Sequence, residues 1–370
     1  MQIVEVKTKK DLKAFVRFPR RLYRDCPCYV PPLDRTEIKE LTQHPALEFC
    51  TLKLWMAIID GEIVGRIAGI INHRCNELKN QKRVRFGWFD VVENQEVATG
   101  LLETVAQWGR ENGLGTMCGP SRFSNMQRQA MLVDGFQNTA SIGADYNFDY
   151  YPRFVEDFGF EKEVDYVQYK VRVKEVPEAI ERMTDRLSQK SKIHLRQFSS
   201  KWELKREGVK FFKVLNQSYH DIFNFIPLTD KEIDWVVKSN FAMAELKLID
   251  VLEDENGKMV GISFCLPSLS KAFQKANGKL FPRGIFHILH DLKVNKAVDM
   301  YLTGVLPEYV NSGIHLFYHK RLNEAFLQNG YEFAYTSQQM EDNPAHHIWA
   351  KYYESELYCR RRCYKKALSE

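Results

Sequence analysis

Residues 305–315, VLPEYVNSGIH, join a strand-like run, AVDMYLTGVL, to a segment whose Ile314, Phe317, Leu322 and Ala325 fall on one face at helical spacing. A strand–loop–helix start of this kind offers unpaired backbone N–H groups and the positive end of a helix dipole, which suits a phosphate or pyrophosphate. Gly313 would let the backbone approach such an anion closely, although one glycine before a helix is by itself a common spacing. Further on, Glu341 and Asp342 precede Asn343 and Pro344, and acids placed just before a proline at a first helical position read first as caps. Tyr352 and Tyr353 follow Trp349 within about one turn. His315 and His319 are i, i+4 neighbours without an HExxH pattern, so they read as a solvated or half-buried face rather than as metal ligands.

The elements that must hold these residues occur twice. Asp60-Gly61 and Asn256-Gly257 each sit between two strand runs, a hairpin signal, and both return strands open with Val-Gly, at Val64-Gly65 and Val260-Gly261. A further strand follows in each half, at 84–92 and 297–306. Next come helices carrying Val97, Leu101, Val105 and Trp108 in the first half and Ile314 to Ala325 in the second. Both helices stop at a glycine, Gly113 and Gly330, the usual left-handed cap. The second half is longer by the segment 268–295, which could form a lid. A strand run at 164–173 ends near 174–177, where Pro177 opens a new helix. The pattern predicts a tandem α/β unit, each copy a mostly antiparallel sheet flanked by helices, with units at 1–175 and 176–370. The first copy's loop, 92–98, has no glycine. It carries Glu93 and Glu96, which favour a helix N-terminus themselves and would repel a pyrophosphate.

Composition narrows the partners. At about 150 residues per domain, 370 residues suggest roughly two to three domains. The net charge of +5 is mild, and the basic stretches 186–206 and 360–366 lack a recognition motif or interleaved aromatics, which argues against a nucleic-acid partner. No apolar run approaches the ~20 residues of a membrane helix. The amphipathic start MQIVEVKTKKDLKAF is not a secretory signal. Eight cysteines without framework or zinc spacing fit reduced thiols and a cytoplasmic location, with no metal site expected.

The 305–315 segment resembles the V-x-P-x-x-R/Q-x-x-G-x-G/A loop of the GNAT (acyl-CoA N-acyltransferase) superfamily through Val305, Pro307 and Gly313. Val310 stands where that pattern has Arg or Gln, and His315 where it has Gly or Ala. The run 341–349, EDNPAHHIW, resembles the superfamily's N-x-x-A-x-x-x-Y helix through Ala345, with Trp349 where that helix often has its tyrosine. The whole chain is similar to bacterial tandem-GNAT proteins through Phe18-Pro19, Leu22-Tyr23, Pro31-Pro32, Gly119-Pro120, the 132–136 segment LVDGF and Tyr150-Tyr151. The resemblance implies two GNAT-like units and an acyl-CoA-dependent N-acyltransferase, with acetyl-CoA or another acyl-CoA as co-substrate and a small-molecule or peptide amine as acceptor. It implies cofactor contacts at Val305, Asn311, Ser312, Gly313, Ile314, His315, Asn343 and Trp349. Glu341 is then the candidate base, and Tyr352 or Tyr353 the candidate acid. Two alternatives stay open. One is a non-catalytic GNAT-fold binding protein, supported by the replacements at Val310, His315 and Trp349. The other is an aminoacyl or long-acyl transferase of tandem-GNAT type, with the aromatic segment 146–151 flooring a channel.

Overall fold

The computed structural model describes residues 1–368. In chain order its first elements are β1 (Gln2–Glu5), α1 (Lys9–Leu22), α2 (Asp34–Gln43), β2 (Cys50–Ile59), β3 (Glu62–Asn72), α3 (His73–Leu78), β4 (Arg83–Val91), α4 (Gln95–Glu111), β5 (Thr116–Gly119), β6 (Met131–Asp134), α5 (Tyr150–Asp157) and β7 (Glu161–Arg172). Then come α6 (Glu178–Lys190), β8 (His194–Gln197), α7 (Lys201–Ser218), α8 (Asp230–Asn240), β9 (Ile249–Glu253), β10 (Met259–Pro267), α9 (Ser270–Ala276) and α10 (Ile285–Val294). The chain ends with β11 (Ala297–Val305), α11 (Leu316–Gln328), β12 (Phe333–Tyr335), β13 (Gln339–Met340), α12 (His347–Tyr352) and β14 (Ser355–Ala367). The fold is mixed α/β with mostly antiparallel pairing, as the repeated pattern predicts.

Two compact units result. One holds Met1–Val167, Leu269–Asp291 and the chain from Cys359 on; the other holds Gln168–Ser268 and Leu292–Tyr358. The single cut read at 175/176 differs from this division, because most of the 268–295 segment and most of β14 pack on the first unit's framework.

In the first unit, Thr8 and Asp11 close a capping box at the start of α1. Asp60 and Gly61 both take positive φ, 51° and 80°, the twist a two-residue hairpin needs. Val97, Leu101, Val105 and Trp108 are all buried, so α4 lays the predicted stripe on the sheet. Each fully buried side chain of this kind contributes about 1.5–3 kcal/mol. β4 and β5 pair in parallel only from Arg83↔Thr116 to Arg85↔Cys118 and then part. Beyond that point β4 bulges at Trp88, which has φ +44°. The strand on the far side of β5 is β14, with Tyr364 opposite Gly119.

The second unit repeats the plan. Ser200 caps α7, and Thr229 with Glu232 forms a capping box on α8. The β9–β10 hairpin is longer than the two-residue Asn256-Gly257 turn: Asp254 Oδ1 accepts the N–H groups of Asn256 and Lys258, each at 2.9 Å. β11 and β12 pair in parallel from Ala297↔Phe333 to Asp299↔Tyr335 and then part. The β10–β11 register shifts between Phe264 and Cys265, leaving Tyr301 as the extra residue. Beyond β12 lies the end of β7, with Phe333 opposite Arg172. From Ile314, just before α11, the buried face runs on through Tyr318, Leu322 and Ala325; Tyr318, four residues after Ile314, takes the place expected for Phe317, which is half-buried.

Candidate functional site

The second unit leaves its helix start open. Leu306 N–H donates to the Val260 carbonyl at 2.8 Å. Because N–H directions alternate along an antiparallel strand, the Val305 N–H points the other way, into the gap where β11 and β12 have parted. A 3₁₀ turn, Pro307–Ser312, follows and carries the exposed Asn311 and Ser312. Ser312 Oγ donates to the Tyr309 carbonyl at 2.6 Å and stiffens that turn. Ile314 is buried and anchors the loop by its side chain. Gly313 has φ +79°, a conformation that favours glycine. Among the described residues the amides of Gly313 and His315 donate to no acceptor, and α11 begins without a side-chain cap. A Cβ at Gly313 would meet only Leu316 Cδ1, at 4.0 Å. Two free donors and open space therefore adjoin the positive end of a 13-residue helix. Those features fit a pyrophosphate.

Four side chains gather near that helix start. His319 Nδ1 lies 3.1 Å from the Tyr353 hydroxyl, and its ring is 4.9 Å from Trp349 and 6.0 Å from His315. Trp349 Nε1 donates to Gln339 Oε1 at 3.0 Å, which fixes the indole to β13. Burial, with His315 adding to it, pushes the His319 imidazole down to about 3. Burial lowers His315 as well and raises the Tyr353 phenol well above the usual tyrosine range. At pH 7 both imidazoles are therefore neutral and the phenol keeps its proton, so Tyr353 can donate to a neutral His319.

The other expected residues have different local roles. Asn343 Oδ1 accepts the Ala345 N–H at 3.0 Å and caps the 3₁₀ turn Pro344–His346. The cap is thus Asn343 and neither Glu341 nor Asp342. Glu341 directly follows β13, is half-buried, and its carbonyl oxygen lies 2.8 Å from His346 Nε2. Tyr352 is half-buried with the Lys351 ammonium 5.0 Å from its ring centre. The structure therefore groups His315, Trp349 and Tyr353 and adds His319. The i, i+4 spacing of the two histidines carried that signal, and the sequence reading assigned it to a bland face.

In the first unit the matching features are closed by its own side chains. The N–H groups of Glu96 and Val97 donate to Asn94 Oδ1 at 2.9 and 3.2 Å, capping α4. The N–H of Val91, the counterpart of Val305 at the end of β4, donates to the Tyr151 hydroxyl at 2.8 Å. Tyr150 donates to the Val91 carbonyl at 2.7 Å. Tyr23 donates to Asp90 Oδ1 at 2.9 Å and sits 2.8 Å from the Tyr151 oxygen; Arg66 Nε reaches Asp90 Oδ2 at 2.7 Å.

A narrow cleft with charged residues in its lining lies where β4 and β5 part, and it was not read from the sequence. Trp88 Nε1 donates to Glu37 at 2.8 Å, and Arg122 bonds Glu37, Glu40 and Asp145 at 3.2, 3.0 and 3.2 Å. Burial pushes Asp145 up, but Arg122 and Arg128 outweigh it and hold the carboxyl at about 2. Pro19, Pro120 and Tyr151, residues of the whole-chain resemblance, line this same cleft. The charged residues come from separate segments, so no linear spacing marks them. The aromatic segment 146–151 packs here too, with Tyr146 and Phe148 5.7 and 4.8 Å from Tyr23.

No family model matches the chain. Protein YghO of Escherichia coli is 24% identical over 372 residues, spanning 97% of this chain and 94% of that protein. The bacterial ceramide synthase of Caulobacter vibrioides is 26% identical over 379 residues, spanning 100% of this chain and 98% of that protein. Among solved structures, a tandem GNAT protein from the clavulanic acid biosynthesis pathway aligns with a TM-score of 0.58 at 11% identity, over 100% of this chain and 99% of its own. The chain therefore has the tandem GNAT fold expected from its loop and repeat.

Proposed function

We propose that the chain is an acyl-CoA-dependent N-acyltransferase whose second unit holds the acyl donor. The observation that carries this reading is the contrast between the two helix starts. The amides of Gly313 and His315 are free beside open space, whereas Asn94 fills the corresponding position in the first unit. When bound, the acyl-CoA supplies the thioester that an amine attacks. The amides of Gly313 and His315 hold the pyrophosphate, on a loop shaped by Asn311, Ser312 and Ile314. The Val305 N–H donates to the acyl carbonyl. Trp349, placed by Asn343 at the start of its turn, forms a wall. Glu341 accepts the amine proton, and Tyr353, protonated at pH 7, gives a proton to the departing thiolate; Tyr352 is the weaker candidate for that role. Ceramides are amides, so the ceramide synthase relative supports testing a fatty acyl donor beside acetyl. A binding protein without catalysis is the second reading, favoured by the bulk of His315 in a position that the loop pattern keeps small.

Thiol release from acetyl-CoA and from a long-chain acyl-CoA, measured with primary amines and amino alcohols, tests the proposal. Amine-dependent release is expected with one donor. Absence of thiol release with either donor under every amine would favour the second reading.

A further inference from the structure

The segment 269–291 is fastened to the first unit by one face and leaves the other bare. Ser270 Oγ donates to the Ala140 carbonyl at 2.9 Å, and Gln274 Nε2 to the carbonyls of Pro27 and Tyr29 at 2.7 and 3.0 Å. Asp34 N–H donates to the Gly278 carbonyl at 2.9 Å, and Arg20 to that of Asn277 at 2.6 Å. Phe273 and Ile288 are buried beneath. Three large apolar side chains of the segment are exposed. Phe281 is 65% exposed, Phe286 69% and Leu289 50%. Phe286 and Leu289 stand at helical spacing on α10, and the exposed Lys293 continues their stripe.

The exposed charges of the segment itself have one sign. Lys271, Lys275, Lys279 and Arg283 are exposed on the segment, and its only acid, Asp291, is buried. Exposed phenylalanine and leucine on a segment whose exposed charges are lysine and arginine match the boundary between acyl chains and anionic headgroups. A second protein copy would have to set this basic rim against itself, which like charge disfavours. No helix among the described residues is long and apolar enough to cross a membrane. We infer that Phe281, Phe286 and Leu289, with the rim of Lys275, Lys279 and Arg283, dock the protein on the surface of an anionic lipid bilayer.

The test is flotation of the full chain with vesicles of phosphatidylcholine alone and of phosphatidylcholine with one third phosphatidylglycerol, at low and high salt. The expected result is binding to the anionic vesicles that weakens as salt screens the rim. The triple variant Phe281→Ser, Phe286→Ser, Leu289→Ser should lower the bound fraction about tenfold or more. These side chains are exposed, so its unfolding midpoint should stay at the parent value, which separates lost docking from lost fold. Lys275→Gln with Lys279→Gln and Arg283→Gln should abolish the preference for anionic vesicles. Absence of binding to either vesicle, or binding unchanged in the triple variant, overturns the inference. So does concentration-dependent self-association in sedimentation velocity that the triple variant removes while vesicle binding persists, since the face would then serve a second copy.

Discussion

Tyr353 and His315 carry the sharpest expectations among single residues. Burial keeps the Tyr353 phenol protonated, and His319 Nδ1 is placed to receive its hydrogen bond. Tyr353→Phe should lower kcat about 10²-fold or more, the usual worth of a positioned acid, and leave KM near the parent value; steady-state rates check it, and an unchanged kcat removes Tyr353 from the acid role. His315 is half-buried against His319 and its imidazole is lowered by burial. It is neutral above pH 7, so donor affinity should be flat between pH 7 and 8. His315→Gly should tighten binding by clearing space; calorimetry that finds weaker binding would instead show the imidazole holding phosphate. At this scale the sequence disclosed residue types at a loop and a helix. It hid their partners, because His319–Tyr353 and Trp349–Gln339 join separate elements whose meeting depends on where β11 and β12 part.

Elements explain why two copies of one plan differ. Asn94 satisfies the first amides of α4, and Tyr151 takes the Val91 N–H, so the first unit consumes the donors that the second leaves free. Asn94→Ala should therefore cost about 1 kcal/mol of stability through the lost cap and leave acyl-CoA affinity unchanged. A thermal melt and a titration check the two halves of that statement. Periodicity made α4 legible, and Gly113 and Gly330 stand at φ +69° and +71° as their position after each helix implied. Turn residues were less decisive: Asp254 draws two amides onto its carboxylate and lengthens the second hairpin beyond the Asn256-Gly257 dipeptide. The exchange of last strands, β14 beside β5 and the end of β7 beside β12, could not be read from a pattern that runs forward along the chain.

For the molecule as a whole, acid stability is set by buried groups that pull in opposite senses. Burial raises Asp299 to about 7, with Ser268 opposing, and Asp250 to about 6, with Arg321 opposing. Between about pH 4, the usual unfolded aspartate value, and pH 7 the folded chain holds the Asp299 proton that the unfolded chain gives up. Its stabilising effect is full below that window and lost as pH rises through 7. His319, lowered to about 3, works the other way and costs stability as pH falls below about 6.5. Asp299→Asn should thus match the parent near pH 4 and exceed it at pH 8, by about 2–4 kcal/mol; denaturant midpoints at the two pH values check this. The two-unit fold was visible in the repeated hairpin, strand, helix and glycine, whereas the cleft of the first unit was not, since Glu37, Arg122 and Asp145 are far apart in sequence. The central claim is that one acyl-CoA site exists per chain and lies at Gly313–His315. Isothermal titration of the parent, Gly313→Glu and Asn94→Ala with acetyl-CoA and a long-chain acyl-CoA tests it most directly. The account predicts a stoichiometry of one for the parent and Asn94→Ala and no binding for Gly313→Glu, whose added charge faces the helix start. Parent-like binding by a folded Gly313→Glu would contradict it.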